Sequence, residues 1–330
     1  MYPQRLFREA IPLFSFIFIL TSLALVAVIR RPVIVVNDKF SSAVYGEKRE
    51  RAKAAEIMLK LIRRVRIFNV DDYDNSDKIA AAIAERFKNP LCVIFPYRYA
   101  QAAVIYANAG GTDGAVPAGR AGRAVILEER NLTRPDTGKA LYIPSSWETD
   151  YYRAAYIAAL LAREPTLMPE LRYSIQESSK TITAFTSENL PPQAQQAFES
   201  GILSGGWTGK NTAQSSVIPE QIDNIGAAVL ISSASSFIQS ETGIPSVVFS
   251  AASLYMLPSY VKAVVDDSVW ALLPGIVRQA VIPAADGDPS ITGVPIPAQI
   301  KILPFRKIPA KLFLRLYAVR RSTQTNKVTS

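Results

Sequence analysis

Short β-branched runs alternate with helix-patterned stretches along this chain, and the alternation runs through twice. The first set opens with "RPVIVVND" (31–38) and "EKRERAKAAEIMLKLIRR" (47–64), the latter with an apolar set at Ala54, Ile57, Met58 and Leu61. Strand "VRIFNV" (65–70), helix "SDKIAAAIAERFKN" (76–89) with a Ser76 cap, strand "PLCVIFP" (90–96) and helix "YAQAAVIYANA" follow, and "RAVILEE" (123–129) and "ALYIPSS" (140–146) add two more strands. The pattern then restarts. A helix over 149–164 begins at Thr149 or Asp150, "TITAFTS" (181–187) is a strand, and 191–206 is a helix begun by proline and ended by glycine. Strand "AQSSVI" (213–218), strand "AAVLISS" (227–233), helix-like "SSFIQSETG", strand "IPSVVFS" (244–250), strand "VKAVVDDS" and the proline-kinked helix "VWALLPGIVRQA" (269–280) complete it. Apolar strands alternating with amphipathic helices require crossover connections and a parallel sheet. The expected fold class is therefore α/β, with two doubly wound parallel-sheet lobes, a size that 330 residues suits.

The composition removes much chemistry. The chain has no histidine, which excludes Ser-His-Asp and Cys-His catalysis, HExxH zinc sites and imidazole proton shuttles. Its one cysteine, Cys92, lies inside an apolar run and reads as a small buried hydrophobe. The Gly-rich stretch 110–122 fits no phosphate-binding template and reads as a surface loop. No cofactor and no metal site are expected. Net charge is +9, but it is unevenly spread: residues 1–66 carry 13 Lys/Arg against 5 Asp/Glu, and 301–330 carry 8 against none. An acidic body with basic ends and no recognition element argues against nucleic acid. The basic ends read either as lipid-headgroup contacts or as solvated charge.

Residues 11–29, "IPLFSFIFILTSLALVAVI", are 19 uncharged and mostly apolar residues flanked by Arg5, Arg8, Arg30 and Arg31. That length spans a bilayer as one helix. The "ALVA" sequence is a poor cleavage site, so an uncleaved N-terminal transmembrane anchor is favoured over a removed signal segment. Positive charge is nearly balanced across the run and slightly heavier on its C-terminal side, so strict positive-inside counting would leave the body in the cytoplasm; the character of the body outweighs this near tie.

The order of elements over residues 32 to about 285 resembles the type I periplasmic binding proteins, the solute-binding superfamily of two doubly wound lobes and a three-strand hinge. The resemblance rests on the first strand ending "VVND", on the crossover "LYIPSSWETDYYRAAYIAALLA", and on the strand–serines–helix–"GIP"–strand run followed by "SYVKAVVDDSVWALLPGIVRQA". It is reminiscent of the basic-membrane-protein branch and of the branch with tryptophan-binding members. The domains it implies are 1–31 anchor or signal segment, 32–145 first lobe, 146–280 second lobe, and 281–330 a return to the hinge with a basic extension.

In an open parallel sheet, ligands lie outside the carboxyl ends of the strands. That rule nominates Asn37, Asp38, Phe40, Tyr97, Arg98 and the pair Glu128-Glu129 in the first lobe, and Thr186, Ser187, Ser232, Ser233, Ser250 and Asp266 or Asp267 in the second. Phe40, Tyr97 and Trp147 are the aromatic rings that could sandwich a solute, with core packing as the competing use of Trp147. Arg98 invites an anion; its competing use is an ion pair with Glu128 or Asp38. Serines at strand ends leave room for a solute and hydrogen-bond it without charge, although short loops also use them.

The resemblance implies a membrane-anchored, extracytoplasmic solute-binding protein of an ABC-type importer, held at the inner membrane with its body in the periplasm. Its partners would be a small-molecule solute, an ABC permease and membrane lipid. An anchored sensor or ligand-free scaffold is the alternative. Catalysis is not expected, because the adjacent acids Asp266-Asp267 and Glu128-Glu129 would point to opposite faces of their strands. The segment "KLFLRLYAV" alternates basic and apolar residues, which suits an edge strand or a membrane-surface segment.

Overall fold

A computed structural model describes residues 31–38, 47–109, 123–128, 137–164, 181–185, 190–208, 210–215, 225–230, 244–249, 257, 259–281, 292–303 and 308–322, with scattered positions between 15 and 30. The chain divides into two compact units, Met1–Pro144 with Leu273–Val294 and Ser145–Leu272 with Pro295–Ser330. It therefore passes between them three times.

The first unit is built on β1 (Val33–Asn37), β2 (Val65–Asn69), β3 (Cys92–Pro96), β4 (Arg123–Leu127) and β5 (Leu141–Ile143), in the order β2-β1-β3-β4-β5 and all parallel. Strand β1 is buried along its whole length, while β2 at the sheet edge alternates between covered and open positions. A central parallel strand is covered on both faces and so reads as an unbroken apolar run, as "VIVV" does. Helices α1 (Glu47–Leu61), α2 (Ser76–Arg86) and α3 (Ala100–Ala109) make the crossovers. The core joins Ile34, Val36, Phe68, Ile83, Phe95 and Tyr106. Helix α2 is capped by Asn75 rather than by Ser76: Asn75 is extended (φ −148, ψ 166) and its side-chain oxygen accepts from the Lys78 N–H, whereas Ser76 is already helical.

The second unit repeats the plan. Its strands are β6 (Thr181–Phe185), β7 (Lys210–Ser215), β8 (Ile225–Leu230), β9 (Ser246–Phe249), β10 (Val261–Asp266) and β11 (Gln299–Ile302), in the order β11-β10-β9-β8-β6-β7. All pair in parallel except β10 with β11, which is antiparallel. Without β11 the connectivity is that of the first unit. Helices α4 (Trp147–Ala162) and α5 (Pro192–Ser204) belong to this unit, and the second passage between units falls within α6 (Val269–Val281). Helix α4 starts at Trp147 after Ser146, ahead of the expected Thr149 or Asp150. Asp150 is used elsewhere: its carboxylate accepts the Ala298 N–H at 2.9 Å, while Arg153 donates to the Ala298 carbonyl at 2.9 Å. Together the two side chains grip one backbone residue just ahead of β11.

The segment "KLFLRLYAV" is not an edge strand. It lies in helix α7 (Ala310–Ser322), where Leu312 and Leu316, four residues apart, are buried in the unit's core. Spacing of four places both on one helical face, and the edge position is held by β11 instead. The loop at 110–122 and the stretch 235–243 lie outside the described residues. Much of 11–29 does too; its described positions from 15 to 29 are helical, with Phe18, Leu25 and Ile29 exposed at 73%, 62% and 75%. Among the described residues no helix is long and apolar enough to cross a membrane.

Helices α4 and α5 approach closely because small residues line both. A Cβ on Gly201 would collide with the Tyr152 carbonyl and stand 2.9 Å from the Ala155 Cβ. Gly201→Ala should therefore destabilise the chain by about 1–3 kcal/mol, the usual cost of overpacking. Leu203→Ala on the exposed face of the same helix should cost much less. Denaturant melts of both variants check this, and equal midpoints would contradict the packing.

Candidate functional site

A 2-1-3-4-5 sheet reverses its direction of winding between its first and third strands, and that switch point is where open α/β sheets hold ligands. In the first unit it lies between β1 and β3, so the chain leaving them, Asn37-Asp38 and Tyr97-Arg98-Tyr99, is brought to one place. Residues 97–99 form a single 3₁₀ turn that leads into α3.

The side chains there make one cluster. Asp38 is only 6% exposed, and a buried carboxylate needs partners. Its Oδ2 meets Arg98 Nη1 at 2.9 Å and accepts the Tyr99 hydroxyl at 2.8 Å. Arg98 also stands over the Tyr99 ring, 5.8 Å from its centre. Burial, and then the hydrogen bond that the phenol donates to Asp38, push the Tyr99 hydroxyl up to about 12. Beside this, the buried Asn37 donates its amide to Glu50 Oε2 at 3.1 Å, and the Asn37 carbonyl accepts the Val70 N–H. Glu50 also reaches a groove of about 460 Å³ between α1 and β2, lined by Ala54, Met58, Val65, Ile67 and Asn69.

Four of the sequence-nominated residues, Asn37, Asp38, Tyr97 and Arg98, thus lie at this switch point. Of the uses open to Arg98, the structure shows the pairing with Asp38. Two members of the cluster escaped the sequence reading. Tyr99 was absorbed into the following helix. Glu50 carried a usable signal, because positions 50, 54, 57 and 61 share one face of α1 and Glu50 is the charged member of that stripe.

In the second unit the corresponding switch point lies between the ends of β6 and β8. Phe40, Thr186, Ser187, Ser232, Ser233 and Ser250 lie outside the described residues. Trp147 packs half-buried against the unit's core, 6.1 Å from Tyr151, which meets Phe249 edge-on at 5.5 Å. Of its two uses the structure shows packing. Asp266 closes the turn into α6, accepting from the Ser268 hydroxyl at 2.6 Å, and it pairs with Lys301 on β11. Cys92 is fully buried, and burial pushes its thiol up to about 12. Among the described residues no group of three or more acids or cysteines could hold a metal ion.

A solved ABC transporter system solute-binding protein from Conexibacter woesei DSM 14684 is similar over 91% of this chain and 98% of its own, at 12% identity and a TM-score of 0.53. The chain has the type I periplasmic-binding-protein fold. Also similar are a sugar ABC transport system substrate-binding protein from Bordetella parapertussis 12822 (9% identity, 89% of this chain, 94% of that one, TM-score 0.46) and an ABC transporter periplasmic solute-binding protein with bound D-allose from Actinobacillus succinogenes 130z (10%, 84%, 99%, 0.44). No protein-family model and no curated protein sequence matches the chain.

The Tyr99 phenol offers a direct check of the cluster. Its pKa is raised in the folded chain, so its contribution to stability is complete below about pH 10 and is lost as pH rises toward 12. The alkaline absorbance difference between the chain and its Tyr99→Phe variant reports this one group. Asp38→Asn should bring that titration down toward the ordinary tyrosine range; an unchanged midpoint would contradict the pairing.

Proposed function

We propose that the chain is a solute-binding protein that takes a small, polar, uncharged solute at the carboxyl ends of its parallel strands. The fold supports the class of function. The observation that carries the finer reading is the Asp38–Arg98 pair at the first unit's switch point. A guanidinium whose charge is balanced by its own chain's carboxylate is a poor seat for an anion, because a bound carboxylate would compete with Asp38 and leave it buried and uncompensated. The same pair presents fixed donors and acceptors side by side, which suits hydroxyl or amide groups. Asn37 and the half-buried Tyr97 extend that surface. Ser187, Ser232 and Ser250, which lie outside the described residues, are hydroxyl residues of the same neutral character in the sequence of the second unit.

The apolar run 11–29 tethers this body to a membrane in the proposed arrangement, with the body extracytoplasmic and an ABC permease as the partner that accepts the solute. Binding would shift an equilibrium between open and closed forms, and the permease would read the closed one. The chain has no histidine and so lacks the Ser-His and Cys-His pairs.

A thermal-shift screen of the full chain in detergent against sugars, nucleosides, amino acids and purines tests the proposal. A solute at one hundred times its dissociation constant should stabilise the chain by about 2.7 kcal/mol. The hits should be uncharged solutes. Arg98→Ala should weaken them at least about tenfold, since it strips a donor and exposes Asp38 as an uncompensated charge. Arg320→Ala in the basic tail should leave binding unchanged. Stabilisation by no solute at all would favour the anchored sensor or scaffold instead, and hits confined to anions would overturn the neutral-solute reading.

A further inference from the structure

Helix α7 turns two sides to its surroundings. Leu312 and Leu316 are buried, at 4% and 0% exposure. On the other side Leu314 is 67% and Tyr317 39% exposed, and Phe313, half-buried, stacks on Tyr317 at 6.2 Å and 22°. Lys311 and Arg315, one turn apart, are exposed at the border of this apolar strip, and among the described residues neither meets a carboxylate. Each position follows from helical spacing: 313 with 317, and 314 with 317, share a face, while 311 and 315 flank it.

An exposed apolar residue standing alone needs no explanation. Leu203 on α5, at 69%, is such a residue. The strip on α7 differs because apolar, aromatic and cationic groups are interleaved in a segment of one sign: residues 301–330 hold eight Lys/Arg and no acid. That charge decides among the surfaces the strip could meet. A second copy of the same face would set Lys311 and Arg315 against their own likeness. A nucleic acid would use the cations and leave Leu314 without a role. The headgroup layer of an anionic bilayer accommodates both kinds of group, since cations sit among lipid phosphates while tyrosine, phenylalanine and leucine enter the acyl boundary.

We propose that the exposed face of α7, formed by Lys311, Phe313, Leu314, Arg315 and Tyr317, is a docking surface for an anionic lipid bilayer. It lays part of the second unit on the membrane surface, in addition to any tether through 11–29. The proposal stands independently of which solute is bound, or of whether one is.

Cys92 is buried, so an environment-sensitive thiol label can be directed to Leu314→Cys, with Leu203→Cys as the control. The full chain is reconstituted into vesicles of phosphatidylcholine alone, or of phosphatidylcholine mixed with phosphatidylglycerol. Quenching is by acrylamide, which is uncharged and not repelled by the vesicle. At position 314 the emission should shift to the blue, and quenching should fall several-fold, on anionic vesicles only. The control position should stay open to quencher on both, which separates docking of α7 from mere tethering. Lys311→Glu with Arg315→Glu should abolish the change while leaving the melting temperature in place. Any of three results would overturn the proposal: equal quenching at the two positions, equal protection on neutral vesicles, or protection of position 314 by self-association or by an RNA oligomer without vesicles.

Discussion

A carboxylate that is 6% exposed cannot stand alone, and Asp38 occupies such a position because β1 is an interior strand of the first sheet, flanked by β2 and β3. Strand β1 is interior because Val33, Ile34, Val35 and Val36 are apolar on both faces and need cover on both. Burying each such side chain is worth roughly 1.5–3 kcal/mol. The residues that follow the strand inherit its depth but not its apolarity. Asp38 and Asn37 must therefore be satisfied locally, and the chain supplies Arg98 and Tyr99 for one and Glu50 for the other. The demand of one buried charge thus assembles the polar surface that we assign to the solute.

That surface differs in kind from its counterpart at the end of β10. Asp266 also ends a buried strand, yet its partners are Ser268 in the next turn and Lys301 on the neighbouring antiparallel strand. It closes a turn and holds a sheet edge. The position of the strand decides the difference: β10 lies next to β11, away from the place where the winding reverses, whereas β1 borders it. Acids in similar local settings take different roles because the topology places them differently.

Much of this architecture was legible in the residues. Apolar runs such as "VIVV" and "CVIF" announce central parallel strands, and helices between them demand crossovers, so the class of fold and the strand-end rule followed directly. Local chemistry was harder to see. Asn75 and Ser76 are both good caps, and the choice falls on the residue with extended backbone, which the sequence does not display. "KLFLRLYAV" alternates like a strand over a short window, and only the core contacts of Leu312 and Leu316 show a helix. The pairing of Asp38 with Arg98 joins residues 60 positions apart, and residue order alone could not choose between Asp38 and Glu128 as the partner. Trp147 was open between solute and core for the same reason: its neighbours Tyr151 and Phe249 come together only in the folded unit.

The central claim is that a solute meets the chain at the switch point between β1 and β3. Hydrogen exchange of the full chain, with and without a solute found by thermal shift, tests it most directly. The account predicts slowed exchange in peptides covering 33–38 and 92–100, at the ends of the two strands and in the turn that carries Arg98. Protection confined to 47–69, around the groove between α1 and β2, or unchanged exchange at both strand ends under saturating solute, would contradict it.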